Sequence, residues 1–222
     1  MTEAFKAVLL DLDGTLVDSV PGIHQALQAT LNECAGLSCA IEDVRLWVGN
    51  GPRKLVARAL MALGSDLNVR TVLTVFNQHY ARTVFNGALY PGVPEGLQTL
   101  HDAGLKLACI TNKPSAFTLP YLDHLGIAAY FTTVICADQV ERPKPHPESL
   151  SLACDRLQVT VDQAVMVGDS ANDLKPANTL GMRCVAVAYG YDQDQPLGNY
   201  HPLHIAPSFP EVVTVILSDP RF

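Results

Sequence analysis

Charge is scarce in this chain. Asp, Glu, Lys and Arg make up 17% of its 222 residues, against about 25% in an ordinary soluble domain. What charge there is runs acidic, with 22 acids against 15 bases. That balance argues against sequence-independent nucleic-acid binding, which needs Lys and Arg to neutralise phosphates. Cysteines are few and scattered: six, with no C-x-x-C among them. This excludes a disulfide scaffold or a paired-cysteine zinc site. Cys109, Cys136 and Cys184 lie in apolar runs, where a free thiol behaves as a small hydrophobe. The seven histidines form no zinc-type pair with a carboxylate. No apolar run approaches the ~18 residues of a membrane span. The opening MTEAFKAVLLDLDGTL lacks a signal-peptide shape, because Asp11 and Asp13 break its apolar run. The expectation is a cytoplasmic protein with neither a membrane nor a nucleic-acid partner.

Apolar content is ample at 48%, so disorder is excluded. At 222 residues the chain makes one large domain or two small ones, burying roughly 70% of its unfolded surface. It carries no repeat and no low-complexity tract. Short runs, apolar on both faces, recur at Ala7 to Leu12, Leu105 to Ile110, Thr132 to Cys136, Ala164 to Val167 and Cys184 to Ala188. Such runs are strands buried on both sides of a parallel sheet. Helical patterns separate them, at Val93 to Ala103, Ala116 to Leu125, Glu148 to Leu157 and Asn172 to Leu180. The alternation predicts an α/β fold, a doubly wound parallel sheet with a Rossmann-like core. A short strand at His204 to Ala206 and a helix at Phe209 to Leu217 close it.

Residues 21–82 break the alternation with four helical patterns and no strand. Pro21 and Pro52 suit first-turn positions, and Gly36 and Gly64 suit helix ends. The division predicted is a core of 1–18 with 84–222 and an all-helical insertion over 19–83. An insertion after the first strand would hang over the strands' carboxyl ends, where ligands bind in this architecture.

Four segments carry chemistry, each just past a strand or in the loop feeding the next helix. They are Asp11-Leu12-Asp13-Gly14-Thr15, Thr111-Asn112-Lys113, Lys144 between Pro143 and Pro145, and Asp169-Ser170-Ala171-Asn172-Asp173. Taken singly, each also has a purely structural reading: an Asp-Gly turn, a helix cap, a solvated lysine, acids at a helix start. Gathered at one sheet edge, carboxylates around a lysine suit a magnesium-bound phosphate. A positioned Asp could then attack phosphorus.

In this order, the segments resemble the four motifs of the haloacid dehalogenase superfamily of phosphatases, over nearly the whole chain. The resemblance implies that Asp11 is the nucleophile, and that Asp13 protonates the leaving oxygen and then activates water. It implies that Thr111 and Asn112 hold the phosphoryl group while Lys144 neutralises nucleophile and phosphate. By it, Asp169 ligates Mg2+ with Asp11 and the Asp13 carbonyl, and Asp173 supports the ion.

The helical insertion resembles that superfamily's first class of cap. Trp47-Val48-Gly49-Asn50-Gly51 and Tyr189-Gly190-Tyr191 resemble segments of bacterial phosphoglycolate phosphatases. The departures are Pro176, expected to kink its helix, and the stretch Asp192 to Gly198. The Gly49–Lys54 segment lacks the Gly-Lys-Ser/Thr ending of a nucleotide P-loop. Its glycines precede a helix, so Gly49, Asn50, Gly51 and Arg53 are the expected contacts for a substrate carboxylate. The function expected is Mg2+-dependent hydrolysis of a small phosphorylated metabolite, 2-phosphoglycolate, by a monomer or homodimer. Open alternatives are a sugar phosphate, an amino-sugar phosphate, pyrophosphate, a phosphomutase, or a non-catalytic module on the same fold.

Overall fold

The computed structural model describes residues 5–191 and 196–218. Of the departures noted above, 192–195 lie outside the described residues. Six strands form one parallel sheet: β1 (Ala7–Leu10), β4 (Lys106–Thr111), β5 (Phe131–Cys136), β6 (Ala164–Gly168), β7 (Arg183–Val187) and β8 (His204–Ala206). Two further strands, β2 (Val17–Asp18) and β3 (Ala88–Leu89), pair antiparallel outside it. The sheet order is β5-β4-β1-β6-β7-β8. Alternate residues of each strand enter opposite layers. Val8, Leu10, Val165 and Val167 pack with Leu97, Phe209 and Val212. Ala7, Leu9, Ala108 and Met166 pack with Leu150, Ala153 and Leu174. Burial on both faces explains why these strands are apolar throughout. The covering helices are α5 (Val93–Asp102) and α9 (Phe209–Leu217) on one face, with α7 (Glu148–Leu157) and α8 (Ala171–Leu180) on the other. A further helix, α6 (Ser115–His124), follows β4.

The order identifies where a ligand belongs. From β1 the chain moves to β4 and β5 on one side, then crosses back to β6 and continues to β7. The winding therefore reverses between β1 and β6, and a crevice opens at their carboxyl ends. Asp11 and Asp169 directly follow these two strands. The Asp11 N–H donates to the Val167 carbonyl at 3.0 Å, which carries the β1–β6 pairing to the edge.

The insertion comprises α1 (Val20–Ala35), α2 (Ile41–Trp47), α3 (Pro52–Ala62) and α4 (Val69–Thr83). Local signals set their ends. Pro lies in the first turn of α1 and α3, Gly36 ends α1 in the left-handed region, and Asn68 caps α4 by accepting from the N–H groups of Arg70 and Thr71. Leu27, Leu31, Val56, Leu60, Val72 and Phe76 form its interior, continuous with one face of the sheet. β2 and β3 zip its entry to its exit, with Val17 opposite Leu89. Each has only two residues, too short to show a strand period in sequence. Thr83 Oγ1 donates to the Gly22 carbonyl at 2.8 Å beside them. α8 continues as one helix through Pro176 to Leu180.

Candidate active site

At the β1–β6 crevice, Lys144 is buried and all three of its ammonium hydrogens have an acceptor. Nζ lies 2.8 Å from Asp11 Oδ1, 2.6 Å from Asp173 Oδ1 and 2.7 Å from the Ile110 carbonyl. Burial alone would lower its pKa; Asp11 and Asp173 outweigh that and raise it, so it stays cationic. Asp173 is placed by helix formation itself. It is the third residue of α8, where it completes a capping box by accepting from the Ser170 backbone N–H at 3.2 Å and from its hydroxyl at 3.1 Å. Asp169 accepts from the Tyr191 N–H at 2.6 Å. The Gly14 turn passes so close to it that a Cβ at Gly14 would sit 2.2 Å from Asp169 Oδ2. With a φ of +90° as well, that position is restricted to glycine.

Asp11, Asp169 and Asp173 each offer an oxygen within 4.8 Å of the others, and all three are buried. Burial, then the charge on Asp173, pushes Asp11 up to about 7 despite Lys144. The same two causes raise Asp169 well above the usual carboxylate range. The site as a whole sets four carboxylates, Asp11, Asp13, Asp169 and Asp173, against two ammonium groups, Lys113 and Lys144. With all four carboxylates ionised, as a bound cation favours, two negative charges remain before any phosphate enters. The donors are hard oxygens, so the residues fit a divalent cation of the Mg2+ type.

Beside this cluster, a cavity of about 40 Å³ lies between the sheet edge and the insertion. Asp11, Asp13, Thr111, Asn112 and Lys113 line the core side, and Ile23, Val48, Leu55, Phe76 and Tyr80 line the insertion side. Thr111 Oγ1 accepts from the Lys113 N–H at 3.1 Å, which leaves its own proton for a ligand. Lys113, to which the sequence reading gave no role, is buried among site groups. Its Nζ is 3.0 Å from Asp13 Oδ1 and donates to the Tyr80 hydroxyl. It also lies 5.0 Å and 5.1 Å from the ring centroids of Tyr80 and Tyr121. The signal was present: a lysine at the end of a buried strand, adjoining two expected site residues.

The expected phosphate and carboxylate contacts are placed differently from one another. Asn112 is buried at the cavity, but both amide hydrogens are engaged, to the Gly49 carbonyl at 3.0 Å and the Lys144 carbonyl at 2.9 Å. In this arrangement its side chain joins the insertion's loop to the lysine loop and has no donor left for phosphate. Gly49 and Gly51 line the cavity. Asn50 turns to the core, where its Nδ2 donates to Asn172 Oδ1 and its Oδ1 accepts from Arg58, both at 2.5 Å. Arg53 is exposed on α3 and is not among the lining residues. Asn172 and Arg58 had no expected role; Asn172 meets Asn50 across 122 residues of sequence, whereas Arg58 reaches Asn50 and the Trp47 carbonyl within the insertion.

At the base of the insertion, the Tyr191 hydroxyl donates to Asp18 at 2.5 Å. Arg45 pairs with the same carboxylate at 3.3 Å. His204 lies on β8, as expected, and pairs with Glu211 of α9 at 2.5 Å. Among the described residues, no helix is long and apolar enough to cross a membrane.

The haloacid dehalogenase-like hydrolase family model matches residues 5–181. A phosphoglycolate phosphatase of Yersinia pseudotuberculosis is 39% identical over 96% of this chain and 94% of its own. One from Pseudomonas fluorescens is 39% identical over 89% of this chain and 74% of its own. A crystal structure described as a predicted phosphoglycolate phosphatase from Haemophilus somnus superposes with a TM-score of 0.90. It is 30% identical and covers 95% of this chain and 97% of that one. With motif, fold and relatives in agreement over nearly its whole length, this chain belongs to the haloacid dehalogenase-like hydrolases and is a phosphomonoester hydrolase.

Proposed function

We propose that the enzyme hydrolyses 2-phosphoglycolate to glycolate and phosphate with Mg2+, through an aspartyl-phosphate on Asp11. The observation that carries this reading is the joining of two sites across one small cavity. A carboxylate–lysine cluster able to hold a metal and phosphate faces a second buried cation, Lys113, under apolar walls. The Yersinia and Pseudomonas relatives bear the name of this activity.

Asp11 Oδ1 is held by Lys144 and by the Leu12 N–H at 2.7 Å, so one oxygen is fixed in direction. Attack on phosphorus would form the Asp11–phosphate bond and expel the alkoxide, which takes the Asp13 proton. Asp13, then a base, would accept a proton from the water that releases phosphate and restores Asp11. Thr111 can donate its hydroxyl proton to a phosphoryl oxygen. Asp11, Asp169 and Asp173 would hold Mg2+, which when bound would supply charge neutralisation for the phosphoryl oxygens. Lys144 supplies a fixed positive charge on the same side. The apolar insertion walls support a short substrate with no polar group on that side. A sugar would bury hydroxyls against Ile23, Leu55 and Phe76 without partners.

A phosphate-release screen of metabolite monophosphates with Mg2+ tests the reading. We expect a kcat/KM for 2-phosphoglycolate at least about tenfold above glycerol phosphate, or ~1.4 kcal/mol. A screen won by a sugar phosphate, an amino-sugar phosphate or pyrophosphate overturns it.

A further inference from the structure

Lys113 and Tyr80 are built into the cavity but have no part in the phosphoryl chemistry described above. The two come from different regions. Lys113 follows β4 in the core, and Tyr80 lies on α4 of the insertion. Both line the cavity, and the Lys113 ammonium donates to the Tyr80 hydroxyl.

The pair keeps one donor in hand, the Tyr80 proton. Lys113 has three donors. One carboxylate, Asp13, takes both of its ionic contacts, at 3.0 and 3.4 Å, and the Tyr80 oxygen takes another. The Tyr80 hydroxyl accepts from Lys113, which leaves its own proton with no acceptor among the described residues. Burial pushes that hydroxyl up to about 12, so it keeps the proton at neutral pH. A buried cation beside a buried donor with an unpaired proton is a receptor for an anion. The other walls here, Ile23, Leu55 and Phe76, offer no competing polar group.

We propose that Lys113 and Tyr80 together bind the substrate's second anionic group, a carboxylate one methylene away from the phosphate ester oxygen. The proposal rests on the phosphoglycolate reading above and moves the carboxylate away from Arg53. It makes Lys113 the residue that selects the substrate, and it makes selection depend on the insertion, since Tyr80 arrives with α4. Lys144 cannot serve instead, because it is held by Asp11, Asp173 and the Ile110 carbonyl and is not among the residues that line the cavity.

The test compares 2-phosphoglycolate with ethyl phosphate, which has the same chain length and no carboxylate. The wild-type kcat/KM ratio should be at least about tenfold, ~1.4 kcal/mol. Lys113→Met should bring that ratio within about twofold of unity, and Lys113→Arg should restore part of it. Tyr80→Phe keeps the ring and its packing, so it gives a second reading should Lys113→Met fold poorly. It should lower the ratio by about threefold through KM for phosphoglycolate, the effect of one lost hydrogen bond. Equal losses on both substrates, with the ratio intact in Lys113→Met and in Tyr80→Phe, would overturn the proposal and leave Lys113 a partner of Asp13 only. A wild-type enzyme indifferent to the carboxylate would instead overturn the substrate reading itself.

Discussion

The molecule contains two buried lysines, and they occupy different kinds of surroundings. Lys144 sits at the sheet edge and touches three groups, two carboxylates and a backbone carbonyl. Lys113 sits under the insertion, touches two groups, one carboxylate and a phenol, and is overlain by two aromatic rings. A cation shared by three groups away from the cavity fixes them in place. One that lines the cavity beside a phenol proton can receive a ligand. The comparison divides the site into an edge that carries out phosphoryl transfer and a wall that chooses what is transferred from. The edge is built from core residues alone, whereas the wall needs α1, α3 and α4.

The largest expected effect lies at the edge. Asp11→Asn keeps the shape and removes the nucleophile, so turnover should fall by at least about 10³, within the range for lost covalent catalysis. Because the substitution also removes one of several crowded negative charges, its melting temperature without metal should match or exceed the wild type. A variant keeping a tenth of wild-type rate would remove Asp11 from the mechanism.

Next in size is Asp13→Asn. A positioned general acid contributes about 10²–10⁴, chiefly when the leaving group is poor. Ethyl phosphate should therefore lose more than p-nitrophenyl phosphate, whose phenolate leaves unaided. Equal losses would place Asp13 in folding or metal binding instead.

Stability separates the two lysines. Lys144→Met leaves Asp11 and Asp173 buried without their cation, at a cost of about 3–5 kcal/mol. At about 2–4 °C per kcal/mol for a chain of this size, the melting temperature should drop by roughly 6–20 °C. Lys113→Met should cost less, since Asp13 borders the cavity and its side chain is 15% exposed. The reverse order would break the distinction between the edge lysine and the cavity lysine.

The smallest effect sharpens the metal assignment. Asp11 titrates near 7 in the folded chain and near 3.8 unfolded, and Asp169 is shifted in the same direction. The native state then holds protons that the unfolded chain has released. Without metal, these groups make stability fall as pH rises from about 4 to about 7. Mg2+ favours the ionised carboxylates, so its stabilisation should be larger near pH 8 than near pH 5. Melting curves in chelator and in Mg2+ check this, and an Mg2+ shift larger at pH 5 would count against the site.

The edge was largely legible in the sequence, and the wall was not. β1, β4 and β6 are buried on both faces, so their apolar runs mark them, and the charged residues that follow mark the carboxyl ends. Asp173 is legible for a second reason, as the acid of the capping box that opens α8. Lys113 was quoted beside Thr111 and Asn112 but had no visible function. Its partners are Asp13, 100 residues earlier, and Tyr80, 33 residues earlier. Arg53 showed the converse limit. A basic residue behind a glycine loop has the composition of an anion site, but α3 leaves it in solvent. Asn112 has the chemistry to bind phosphate, yet two backbone carbonyls hold its amide.

The most direct test of the edge as the site of phosphoryl transfer is to trap the covalent intermediate. Asp13→Asn should still accept the phosphoryl group from p-nitrophenyl phosphate, which needs no leaving-group acid, but should release it slowly for want of a base. Acid quenching during turnover with Mg2+, followed by peptide mapping, should find one phosphoryl group on Asp11. A phosphoryl group on any other side chain, or steady turnover by Asp11→Asn at the wild-type rate, would contradict the account.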